Sequence, residues 1–96
     1  MSSAYILYSD FEIHIPYSQS LKQKRQVVQR LKDRLRNQFN VSVAEGSSLE
    51  DWQRAGLALV MVGSSRKQLD SQQNALEAFI LEVVDAEVVW LSREWV

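Results

Sequence analysis

The chain contains no cysteine, one proline, one histidine and three glycines in 96 residues. Without thiols there is no disulfide framework, no thiolate nucleophile and no cysteine-bound zinc, which fits a reducing compartment, so the cytoplasm is the expected location. Gly46, Gly56 and Gly63 are too far apart to form a phosphate-cradling loop or a dinucleotide fingerprint, and there is no nucleophile elbow. No cofactor is implied. No apolar run approaches the ~20 residues of a bilayer span, and the N-terminus lacks the basic-then-apolar order of a signal peptide, so no membrane partner is expected.

What is abundant is positive charge in one place. Ser20 to Phe39 holds seven of the eleven basic side chains (Lys22, Lys24, Arg25, Arg30, Lys32, Arg34, Arg36) against Asp33 alone, a segment charge of +6 in a chain whose net charge is −1. The remainder therefore carries −7. A chain that is acidic elsewhere is no general polycation, but a local basic face suits a phosphate-bearing partner docking from one side. Ninety-six residues at 46% hydrophobic content allow one domain, residues 1–96, with one core.

The hydropathy pattern orders the elements. Over residues 4–15, Tyr5, Leu7, Phe11, Ile13 and Ile15 share one face of a strand, and Ile6, Tyr8, Asp10, Glu12 and His14 share the other. Pro16 ends it. Ser20 is a helix N-cap with Gln23 three residues on, and Leu21, Val28, Leu31, Leu35 and Phe39 follow at helical spacing until Asn40. Val41 and Val43 begin a short strand. Gly46, Ser47 and Ser48 mark a turn into an apolar strand from about Trp52 to Val62, expected to neighbour the second. Ser65 caps a second helix with Leu69, Leu76, Phe79, Ile80 and Val83 inward, and Val88 to Trp95 form a last strand. The order βαββαβ predicts an α+β, ferredoxin-like sandwich: a four-stranded antiparallel sheet with two helices on one face. In the third strand both parities are apolar, as in a strand buried on both faces, so a second copy of the chain is expected to cover the open face as a homodimer or higher homo-oligomer.

The run HIPYSQSLKQKRQVVQRLKDRLRNQFNVSVAE, from His14 to Glu45, followed by Trp52-Gln53-Arg54-Ala55, resembles the YlxP-like family of small bacterial proteins. The shared pattern is H-x-P, S-L-K-x-K-R, a basic helix, F-N-V-S-V-A-E and W-Q-R-A; Tyr17, Gln19 and the Trp-rich C-terminus depart from it. The resemblance implies a ferredoxin-like domain with no known enzymatic activity and a link to translation or ribosome assembly. It brings no catalytic residues.

On the helix, Lys22, Arg25, Gln29, Lys32 and Arg36 recur at three and four residues, a stripe of roughly 21 Å at 1.5 Å per residue. These five are the candidate RNA-binding residues, with RNA or the ribosome as the expected partner and the turn after Pro16 as part of the contact. An acidic protein partner is the alternative. The plainer account is a solvated face, or one neutralised by Asp70, Glu77 and the acids near Glu50. Lys24 falls in the apolar arc, where its stem is expected to lie on the core while the ammonium reaches outward. Base stacking on the sheet is not expected, because the third strand has no aromatic between Leu57 and Val62 and Tyr8 is beside Asp10 and Glu12.

His14, with Glu12 and Asp10 on its face, is the one acid–base or metal candidate, but a single imidazole and two carboxylates make an incomplete zinc set. A polar strand edge explains it more simply. Arg54 is expected to pair an acid at the turn, and Trp52, Trp90 and Trp95 to belong to the core or to a dimer interface.

Overall fold

The computed structural model describes residues 4–48 and 50–96. Strand alternation is realised as burial: in β1 (Tyr5–His14), Leu7, Ser9, Phe11 and Ile13 are buried and their neighbours are not. The other elements are α1 (Leu21–Gln38), β2 (Ser42–Ser47), β3 (Arg54–Gly63), α2 (Arg66–Val83) and β4 (Glu87–Trp95). The sheet order is β2-β3-β1-β4 with every neighbouring pair antiparallel, the ferredoxin-like arrangement.

Both helices start where the caps require. Ser20 Oγ accepts from Gln23 N at 3.1 Å and Ser65 Oγ from Gln68 N at 3.3 Å, satisfying amides that have no partner within the helix. The reciprocal bond at α1 reaches one residue further back than a capping box, from Gln19 N to Gln23 Oε1 at 2.6 Å.

The core lies between helices and sheet. Val28, Leu31 and Leu35 of α1, and Leu69, Leu76 and Ile80 of α2, pack with Leu7, Phe11, Ile13, Leu57, Leu59 and Met61 from the two central strands. Phe11 faces Leu57 across one register and Trp90 across the other, with ring centroids 4.7 Å apart. Trp95 meets Tyr5 edge-on at 6.5 Å, and the Arg66 guanidinium lies over both rings. Trp90 thus packs against the core and Trp95, partly exposed, is held by Tyr5 and Arg66, whereas Trp52 is half-exposed in the turn before β3 and has no ring partner among the described residues.

In the third strand the two apolar parities part between the core and the open face of the sheet. Leu57, Leu59 and Met61 are buried under the helices, but Val60 and Val62 are 38% and 53% exposed on the open face, next to Ile6 at 38%. Polar groups on that face satisfy one another. Asp10 accepts from Tyr8 Oη at 3.0 Å and from Ser92 Oγ at 2.6 Å, and Glu12 Oε1 lies 2.9 Å from His14 Nε2 and 3.7 Å from Arg54 Nε. The hydrogen bond to Asp10 holds the Tyr8 phenol above its ordinary value of 10, with desolvation and the charges of Asp10 and Glu94 acting in the same direction. Arg54 therefore pairs an acid, Glu12 on the adjacent strand.

Candidate nucleic-acid interface

The buried row of α1 is Lys24, Val28, Leu31 and Leu35, so a lysine occupies the place where the helical period calls for a leucine. Its ammonium does not reach outward as its snorkelling stem suggested. The side chain is 1% exposed, and Nζ donates to Ser48 O at 2.8 Å and to Arg54 O at 3.2 Å, with Glu45 Oε2 at 3.5 Å. Backbone carbonyls and a carboxylate replace the water that the ammonium loses on burial. Lys24 is thus a strut between α1 and the two ends of the β2–β3 turn.

A second strut lies beside it. Gln53 Nε2 donates to Pro16 O at 3.0 Å and Ser18 O at 3.1 Å, and Ile15 N donates to Gln53 O at 2.8 Å, tying the same turn to the segment that leads into α1. Ser48 stands at φ 58° in this turn, a left-handed conformation that only the surrounding contacts hold for a residue with a side chain. The H-x-P and S-L-K-x-K-R segments thus meet the W-Q-R-A segment, which is distant from both in sequence.

With Lys24 withdrawn, the remaining bases of α1 divide between two sides. Lys22, Arg25, Gln29 and Lys32 line an open groove of about 690 Å³, which the Lys24–Glu45 pair also borders. Arg30 and Arg34 lie on the side facing α2, where Arg34 sits 5.9 Å from the Phe79 ring centroid. Arg36, the last of the five candidates, turns away from the groove: its Nη2 donates to Val43 O at 2.9 Å, and Nη1 lies 4.0 Å from Asp33 Oδ1. Gln29 also donates to Asp33, at 2.9 Å. Among the described residues, no acid lies within ion-pair distance of Lys22, Arg25 or Lys32.

Two of the acids expected to neutralise the stripe are engaged elsewhere. Asp70 and Glu77 of α2 both pair with Arg93 of β4, at 2.7 and 3.5 Å. A second cleft, about 590 Å³ at the His14 end of the sheet, is lined by Asp51, Asp85 and Glu87 beside His14 and Arg54, a balance that disfavours phosphate. No group of three His, Cys, Asp or Glu side chains among the described residues is placed to hold a metal ion. No helix among them is long and apolar enough to cross a membrane.

Comparison with known proteins agrees with this architecture. The chain covers 97% of itself and 96% of the de novo designed protein Foldit4 at a TM-score of 0.56 and 8% identity, a likeness of fold alone. It is 37% identical over 76 residues to the uncharacterized protein YlxP of Bacillus subtilis (strain 168), spanning 79% of this chain and 83% of that protein. The family described as a protein of unknown function (DUF503) matches residues 6–93, nearly the whole chain, and the protein therefore belongs to the DUF503 family.

Proposed function

We propose that the protein is a non-enzymatic accessory factor that contacts RNA or a ribonucleoprotein through the α1 groove. The observation that carries this reading is the set of three cations, Lys22, Arg25 and Lys32, that share one groove and have no acidic partner among the described residues. Structural cations in this fold are paired or capped: Lys24 by Glu45 and two carbonyls, Arg36 by Val43 O, Arg54 by Glu12, and Arg93 by Asp70 and Glu77. Three like charges left along one helix face are best satisfied by phosphates spaced along a backbone. Three phosphate contacts predict a slope of about −2 to −3 in log K against log salt, with little dependence on base identity. Fluorescence anisotropy with ribosomal RNA fragments at low salt tests this. Combined Lys22→Gln, Arg25→Gln and Lys32→Gln substitution is expected to weaken binding about tenfold or more and to flatten the slope, while thermal unfolding is unchanged. Failure of the native protein to bind at low salt rejects the reading.

The open sheet face favours a second, compatible contact, with another copy of the chain. Ile6, Val60 and Val62 form a contiguous apolar area at one end, while Asp10, Glu12, His14 and Arg54 find partners among themselves and with Tyr8 and Ser92 towards the other. Pairing apolar end on apolar end about a two-fold axis covers these three side chains. Sedimentation velocity is expected to show a dimer that Val62→Asp dissociates. A monomer throughout the concentration series removes this contact.

A further inference from the structure

We infer that the RNA-binding surface continues past the N-terminus of α1 onto Trp52, whose indole stacks an unpaired base, so that the RNA is single-stranded or looped where it meets the protein. This rests on the RNA reading of the α1 groove and adds the chemistry of the partner to it.

Trp52 is 51% exposed and, alone among the three tryptophans, has no aromatic or cationic neighbour among the described residues; Trp90 packs on Phe11, and Trp95 on Tyr5 and Arg66. The turn that carries the indole is not loose: six hydrogen bonds hold it. Lys24 Nζ bonds Ser48 O and Arg54 O on either side of it, Asp51 N donates to Ser48 O at 3.2 Å, Gln53 N donates to Asp51 Oδ1 at 2.9 Å, and Gln53 Nε2 reaches Pro16 O and Ser18 O. A turn held in this way loses little backbone freedom on binding, which favours the ring it carries as a stacking platform.

Position completes the case. Lys24 lies between Lys22 and Arg25 in sequence, so the strut that holds the Trp52 turn is anchored within the run that carries the first two groove cations. Glu50 and Asp51 precede the indole and repel phosphate, which leaves the backbone of a bound strand over Lys22 and Arg25 and a base for the ring. The sheet's own aromatic rings are engaged: Tyr8 donates to Asp10, His14 lies against Glu12, and the partly exposed Tyr5 and Trp95 pack on each other and under Arg66.

The test compares a mixed-sequence single-stranded RNA with a blunt duplex of the same length, against native protein, Trp52→Ala and Trp52→Phe. Expected are tighter binding of the single strand, quenching of tryptophan fluorescence on binding, and a loss of roughly 5- to 100-fold in Trp52→Ala that Trp52→Phe largely restores. The salt slope stays unchanged in Trp52→Ala, because the phosphate contacts are untouched, and thermal unfolding confirms that an exposed side chain was removed without loss of fold. Unchanged affinity of Trp52→Ala, with the slope intact, overturns the stacking role and leaves the groove reading standing. Equal binding of duplex and single strand without quenching does the same. Loss of self-association in Trp52→Ala, measured by sedimentation without RNA, makes Trp52 a protein contact and also overturns it. No binding of either RNA by native protein rejects both readings together.

Discussion

Lys24→Met is expected to destabilise the protein by about 3–5 kcal/mol, the range for removing one partner of a buried ion pair. Methionine keeps the length and packing of the stem, so the loss is electrostatic. Glu45 Oε2 is buried without a hydrogen-bond partner, its side chain is 18% exposed, and the Lys24 ammonium at 3.5 Å is its counter-charge. Ser48 O and Arg54 O lose a donor in the same step. In a domain whose total stability is about 5–15 kcal/mol this is a large fraction, and urea unfolding should show it as a lowered midpoint. Glu45→Gln in the Lys24→Met background should cost less than the two single changes added, because the stranded carboxylate is removed with its partner. A loss below about 1 kcal/mol for Lys24→Met would mean that the turn is held by Gln53 and the strand pairing instead.

Phe11→Ala is expected to cost about 3–5 kcal/mol, the usual range for truncating a buried aromatic. Phe11 is fully buried in the central strand, opposite Leu57 on one side and Trp90 on the other, at the point where the β1–β4 register shifts between Asp10 and Phe11. The cavity cannot close easily, because both flanking strands are fixed by their ladders. Urea unfolding measures the loss, and a red shift of tryptophan emission should accompany it as the ring 4.7 Å from Trp90 disappears. Loss of stability without that shift would mean that Trp90 collapses into the space.

The two substitutions also separate two layers of the molecule. Phe11 does not line the α1 groove, so Phe11→Ala should leave the salt dependence of the proposed RNA contact intact wherever the protein remains folded. Lys24→Met releases the turn that carries Trp52, so it should impair the proposed base stacking as well as stability.

Much of the fold was legible from the chain because its signals are local. Alternation in Tyr5–His14, the serine caps at Ser20 and Ser65, and the apolar periods of both helices each depend on residues within one element, and the pattern βαββαβ restricts how a sheet and two helices can share a core. The basic stripe was legible in the same way, since helical spacing alone brings Lys22, Arg25, Gln29 and Lys32 to one side. The signal for Lys24 was also present, a lysine in the apolar arc, but its destination was not.

Which charge meets which was decided only by packing. Lys24 found Glu45 and the carbonyls of Ser48 and Arg54 because the β2–β3 turn folds onto the start of α1, 24 and 30 residues away from it in sequence. Arg36 was drawn to Val43 O, and Asp70 and Glu77 to Arg93, by contacts between elements that no local period encodes. Trp52 could equally have been core until the turn was placed. The amino-acid order thus specifies the elements and the face each one buries, because propensity and hydrophobic period act over a few residues. Tertiary structure alone decides which cations and which tryptophan are left without partners among the described residues, because a charge or a ring is free only once every other element has been packed around it.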